Sequence, residues 1–273
     1  METITKYICN KPYNIYNGQA CCSSTNLRTL YIELTNLCNA KCPFCSNPYK
    51  TNTNLDISVL KKVLNELDGV IDKVTLTGGE PLLYPHFDEL LDVLDNSNIL
   101  FYALTTNGYF LSKRLEAINK SKIRYVNISR HHYLDTVNNE IFGIKIPKYV
   151  LPDKEVRLQA VITETFNTYD DILNFINYAK DNDINKVLLR KEYFDGLYTD
   201  GIENIFSSCD ECKISTKCCC KTKIINGVSV TYRSVDVKKE QSVEKQGKYI
   251  RNFVLKANNH LYGGWSNDSI RII

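Results

Sequence analysis

No run of this sequence is apolar for long enough to cross a membrane, and its first residues, METITKYICNKPYNIYNG, hold no apolar signal core. We therefore expect a cytoplasmic protein. Neither charge sign dominates: the formal net charge is +3. Lysines are scattered, and no basic run is dense enough for a nucleic-acid arm. Nucleic acid and membrane are not expected partners. Cysteine is absent from the middle of the chain, with none between Cys45 and Cys209. A secreted disulfide scaffold would spread its cysteines through a small chain, so this gap argues against one.

What is present in excess is cysteine itself. The 273 residues include eleven. In a reducing compartment they serve better as metal ligands than as disulfides. Cys38, Cys42 and Cys45 form one group, and Cys209, Cys212, Cys218, Cys219 and Cys220 another. Two such groups, far apart in the chain, read as two sites. Cys9, Cys21 and Cys22 read as small buried or surface residues.

Between the groups, strand-like and helix-like pieces alternate. Strands are expected at 28–35, 70–78, 99–108, 123–129, 155–163 and 184–193. Helices are expected at 56–67, 85–96, 112–121, 133–142 and 168–182. Val59, Leu60, Val63, Leu64 and Leu67 recur at helical spacing. Ser112 and Thr168 are the expected N-caps of their helices. Repeated β-then-α units argue for a parallel sheet with helical crossovers, either open and doubly wound or a whole or partial barrel. Parallel strands carry their binding loops at their C-terminal ends. LTNLCNAKCPFC, TGGEP, TTNG and SRHH follow the first four strands in turn, so the unusual chemistry shares one rim. Beyond about residue 195 the pattern changes. Segment 224–237 reads as β structure with an Asn226-Gly227 turn, and 249–265 as a second hairpin turning near Asn258 and Asn259.

The loop at 38–45 offers three thiols where a structural zinc needs four protein ligands. Cys21, Cys22 or His131 could be offered as the fourth. Soft thiolates also suit iron–sulfur chemistry, and three of them on a four-iron cluster leave one iron open. Cys38-x3-Cys42-x2-Cys45, with Phe44 before the last cysteine, resembles the cluster motif of the radical S-adenosylmethionine (radical SAM) enzymes. Gly78-Gly79-Glu80-Pro81 after the second strand, Thr106-Asn107-Gly108 after the third, and Ser129-Arg130 after the fourth extend the likeness over about residues 28–195. The resemblance implies an α/β fold, a partial (β/α)6 TIM-like barrel with a small C-terminal cysteine-rich, β-containing domain. It divides the chain into an N-terminal extension (1–27), the barrel (28–195) and an auxiliary-cluster domain (196–273).

The same resemblance implies roles. Cys38, Cys42 and Cys45 would ligate a [4Fe-4S] cluster whose open iron chelates S-adenosylmethionine. Gly78 and Gly79 would let backbone approach the methionine part, and Glu80 would order its ammonium. Thr106, Asn107, Ser129 and Arg130 would complete the cofactor site. The implied chemistry is reductive cleavage to methionine and a 5′-deoxyadenosyl radical, which takes a hydrogen atom from the substrate. A flavodoxin- or ferredoxin-type donor would supply the electron. The C-terminal cysteines resemble part of the SPASM and twitch patterns. They imply a second, auxiliary cluster on Cys209, Cys212, Cys218 and one of the adjacent pair, with Cys220 taken here; a zinc knuckle is the plain alternative. That cluster would relay electrons or bind substrate.

The substrate wall is expected from strand ends four to six, with His131, Arg157, Gln159 and Arg190 as candidate contacts. Arg157, Gln159 and Val161 alternate onto one strand face. The thirty-odd residues before the barrel are too few for a winged-helix leader-binding domain. A free small molecule is therefore preferred to a peptide substrate, with crosslinking or epimerising peptide maturation as the alternative. A non-catalytic iron–sulfur scaffold is the reading from a different class.

Overall fold

The computed structural model describes residues 3–16, 28–45, 47, 50–191, 202, 205–206, 220–233, 249–250, 252–265 and 269–273. Cys21, Cys22, Cys209, Cys212, Cys218 and Cys219 lie outside them.

The barrel strands come in chain order. They are β3 (Thr29–Glu33), β4 (Lys73–Thr77), β5 (Phe101–Thr106), β6 (Ile123–Ser129), β7 (Glu155–Ile162) and β8 (Lys186–Lys191). Each pairs in parallel with the next. The crossovers carry α1 (Ile57–Glu66), α2 (Phe87–Asp95), α3 (Leu111–Lys120), α4 (Asp135–Phe142) and α5 (Tyr169–Asp181). This is the expected partial TIM-like barrel of an α/β protein. Its alternation is clearest in β7, where Val156, Leu158, Ala160 and Ile162 are buried and Arg157, Gln159 and Val161 are half-buried. The buried set faces the helices; the other set faces the barrel interior.

Helix starts follow local chemistry. Asp56 caps α1, its carboxylate accepting from the Ser58 amide at 2.7 Å. Thr168 opens α5 with a full capping box: its hydroxyl accepts from the Asp171 amide, and Asp171 accepts from the Thr168 amide. We expect Thr168→Ala to lower stability by about 1 kcal/mol in urea unfolding. The cap expected at Ser112 is not there. Helix α3 begins at Leu111, after Phe110, with no side-chain cap. Burial of Leu111 and Ile118 holds that helix instead of local hydrogen bonding.

Two regions depart from expectation. The N-terminal extension carries an antiparallel hairpin, β1 (Thr3–Ile8) and β2 (Lys11–Tyr16). It docks on α1, where the Cys9 amide donates to Glu66 at 2.7 Å. It also meets the C-terminal segment, where the Tyr16 amide donates to Ile250 O and the Ile250 amide to Asn14 O, each at 2.8 Å. The C-terminal strands are the second surprise. The hairpin β9 (Cys220–Ile225) and β10 (Val228–Arg233) forms with Asn226 and Gly227 both at positive φ, as expected for that turn. The hairpin β11 (Phe253–Leu255) and β12 (Leu261–Tyr262) also forms. Yet these strands make no sheet of their own. β10 joins β8 in parallel at one edge, and β11 joins β3 in parallel at the other. Among the described residues, no helix is long and apolar enough to cross a membrane.

Candidate cluster and cofactor site

The loop after β3 is held along its length by the end of β4. The Gly79 amide donates to Thr35 O at 2.7 Å and the Glu80 amide to Leu37 O at 2.8 Å. Gly78 sits at φ +137°, where a Cβ would lie 2.6 Å from Thr35 O. A Cβ on Gly79 would lie 2.2 Å from Leu37 O. The resemblance assigns these glycines to the approach of the methionine part; the cysteine loop's own backbone fills the space a Cβ would take, so they also seat that loop.

Glu80 is buried and braces three segments. Its Oε1 accepts from the Thr106 hydroxyl at 2.6 Å and the Leu82 amide at 3.1 Å. Its Oε2 accepts from the Asn107 amide at 2.8 Å. Asn107 then reaches the cysteine loop, donating from Nδ2 to Asn39 Oδ1 at 2.8 Å. Asn39 was not singled out from sequence; its place between two cysteines was the available signal. Thr106 and Asn107 are therefore tied to Glu80.

Burial raises the Glu80 carboxyl to about 7, against the pull of its three donors. A folded-state pKa above the unfolded value means stability that is full below the unfolded pKa and lost as pH rises through the folded one. For Glu80 that window runs from about pH 4.5 to about pH 7. Urea unfolding should show a loss of roughly 3 kcal/mol across it from this group. Glu80→Gln should flatten that slope; an unchanged slope would refute the assignment.

Cys38, Cys42 and Cys45 are half-buried free thiols. The Ala40 amide donates to Cys38 Sγ at 3.4 Å, and the Cys45 amide to Cys42 O at 3.2 Å. Lys50 Nζ donates to Ala40 O at 2.5 Å. With Cys38, Ala40, Lys41, Cys42, Pro43 and Cys45, it lines a cavity of about 360 Å³. A groove of about 500 Å³ between α1 and α2 carries none of these groups. Burial, then its two neighbouring thiols, push Cys42 up to about 12; burial also raises Cys38. Lys50 pulls both down. Thiols this reluctant to ionise alone are ones that a metal ionises on binding.

The donor set fits a cluster better than a single ion. Among the described residues, no three His, Cys, Asp or Glu side chains close around one ion. A tetrahedral zinc needs compact ligands, whereas a four-iron cluster takes each thiolate on a different iron. His131, one proposed fourth zinc ligand, is otherwise engaged. Its Nδ1 accepts from the Val161 amide at 3.3 Å, and its ring meets Phe44 edge-on at 4.7 Å. Burial lowers it to about 3, so it is a neutral imidazole that packs the fourth strand's loop onto the cysteine loop.

Two predicted residues divide at the end of β6. Ser129 lies on the interior face, its hydroxyl accepting from Gln159 Nε2 at 3.2 Å. Arg130 lies on the helix side. Its Nη2 donates to Asp135 at 2.6 Å and to Tyr133 O at 2.9 Å, and its guanidinium stacks 3.8 Å from the Tyr178 ring centre. Those partners direct it away from the interior, so it positions the β6–α4 loop. Arg157 and Gln159 share the interior face as expected. Arg157 donates from Nε and Nη2 to Asn127 Oδ1 at 2.9 and 2.7 Å. Arg190 ends β8 on the same side of the sheet.

The profile of the radical SAM superfamily matches residues 32–191. The chain is 32% identical over 177 residues to a GTP 3′,8-cyclase of Aquifex aeolicus, covering 58% of this chain and 54% of that protein. It spans about half the length of the curated relatives it matches. In fold it resembles Streptococcus suis SuiB bound to S-adenosylmethionine, with a TM-score of 0.62 at 16% identity, covering 90% of this chain and 62% of SuiB. SuiB bound to its precursor peptide SuiA gives a TM-score of 0.61 at 15% identity, covering 87% and 59%. The cysteine loop, the seat that the glycines make for it and the partial barrel now agree with the family match: this chain belongs to the radical SAM superfamily.

Proposed function

We propose that this protein is a radical SAM enzyme that takes a hydrogen atom from a small-molecule or peptide substrate held in the barrel interior. The observation that carries the reading is the braced loop: three thiols on one turn, seated on Gly78-Gly79 and tied through Glu80 and Asn107 to the next strand end. Cys38, Cys42 and Cys45 would hold the [4Fe-4S] cluster. When bound, the cluster and S-adenosylmethionine supply one-electron reductive cleavage, giving methionine and a 5′-deoxyadenosyl radical. The electron comes from a flavodoxin- or ferredoxin-type donor.

The chain's own part is positioning and exclusion. Glu80, with Thr106 and Asn107, fixes the rim beside the cluster. An ammonium brought near Glu80 would favour its carboxylate form, offsetting the burial that now raises it. Ser129 and Gln159 set the inner wall. The pairing of His131 with Phe44 closes the loop against water. Cys209, Cys212, Cys218 and Cys220 are proposed to hold an auxiliary cluster. Metal loss in a Cys209/Cys212 double variant would support it, and unchanged iron and sulfide would refute it.

The test is anaerobic reconstitution followed by reduction with S-adenosylmethionine present. Formation of 5′-deoxyadenosine and methionine is expected. A reconstituted, cluster-bearing protein that never forms them would favour the iron–sulfur scaffold instead.

A further inference from the structure

The interior face of the sheet gathers cations that the cluster site does not use. Lys73 begins β4, Arg157 lies in β7, Arg190 in β8 and Arg233 in β10. Their strand neighbours Val74, Val156, Leu158, Leu189 and Tyr232 are buried on the helix side, so the four cations share the opposite face. Arg190 and Arg233 stand in register on adjacent strands, a juxtaposition of like charges that costs stability. Lys73 is three strands away from Arg157, yet the barrel's curvature brings them within electrostatic reach. Burial, then Arg157, Arg190 and Arg233, lower the Lys73 ammonium to about 8.

The described acidic groups do not balance Lys73, Arg157 and Arg190. Glu155 acts on Arg157, but its carboxylate is bound by Lys186 at 2.7 Å. Burial raises the Glu33 carboxyl on β3, and Lys256 is the cation that pulls it down. Among the described residues, no carboxylate lies within ion-pair distance of Lys73, Arg157 or Arg190. Arg157 spends two donors on the neutral Asn127 amide oxygen, and Arg190 Nε is buried without a hydrogen-bond partner. A core with no ligand to hold would gain by replacing such groups with apolar ones.

We propose that Arg157 and Arg190, in the field of Lys73 and Arg233, form an anion subsite inside the barrel, and that the substrate is an acidic molecule bearing a phosphate or carboxylate group. The planar guanidinium fork suits both anions. This rests on the reading of the barrel interior as the substrate chamber, and it narrows the substrate class within that reading.

The test is equilibrium dialysis of the anaerobically reconstituted protein at low ionic strength, with inorganic phosphate in one arm and succinate in the other. Saturable binding of at least one anion is expected, and the tighter arm identifies the group. Arg157→Gln/Arg190→Gln and, separately, Lys73→Met should each weaken it by about tenfold or more. Retained cluster absorbance marks a folded variant, and either variant suffices. Binding of neither anion, or binding unchanged in a folded variant, overturns the proposal. Deoxyadenosine formation by the unmodified protein needs neither anion nor variant, so failure of the radical reading registers separately.

Discussion

Cys42→Ala is expected to abolish 5′-deoxyadenosine formation and to cut the iron content assigned to the cysteine loop, while the barrel stays folded. The Cys42 thiol is pushed up to about 12, first by burial and then by Cys45 and Cys38. Its side chain helps hold the loop only through the metal it would bind; the loop's seat is backbone, on Gly79 and Glu80. Chemistry and fold therefore separate in this variant. Circular dichroism should be unchanged, and product should fall to background. Lys50→Met offers a graded comparison. It removes a contact to Ala40 O and a positive charge near two thiols, and should weaken cluster retention by about tenfold without eliminating it. Normal cleavage by Cys42→Ala would remove the cluster assignment altogether.

Gly79→Ala should be the most damaging glycine-to-alanine change among the described glycines. The added carbon would sit 2.2 Å from Leu37 O, and backbone cannot swing aside as a side-chain tip can. Either the β4 end or the cysteine loop must move. We expect a loss of roughly 3 kcal/mol or more in urea unfolding, together with loss of cluster incorporation. Gly227 provides the control. Unlike Gly79 it has positive φ, +84°, and nothing lies within 4 Å of its Cβ position. Gly227→Ala should cost only about 1–2 kcal/mol, from backbone strain alone, and leave iron content unchanged. Equal effects at the two positions would show that the close approach to Leu37 O adds nothing at Gly79.

The barrel was legible because each unit announces itself locally. Helical spacing in α1 and strict alternation in β7 need no tertiary information. The rim chemistry followed, since parallel strands fix which loops meet. What escaped either left no local signal or depended on partners distant in sequence. The hairpin β1–β2 turns on Cys9 and Asn10, both at positive φ, without the glycine that usually marks such a turn. Helix α3 has no capping side chain to read. Arg130 sits next to Ser129 in sequence, but strand alternation sends it to the helix side, onto Asp135 and Tyr178. The glycines are legible as points of close approach, and the structure adds the preceding loop as a group that meets them. Lys73 drew no notice because its cationic neighbours come from three other strands.

The placement of β11 has a consequence for synthesis. Leu30 of β3 pairs with Phe253 of β11, more than two hundred residues later. During translation, the first barrel strand therefore emerges long before its outer neighbour exists. Its free edge, flanked by the buried Leu30 and Ile32, stays open to pairing with other chains until the C-terminal segment leaves the ribosome. The last strands thus act as a late closure, and truncation before Phe253 should turn a folding protein into an aggregating one.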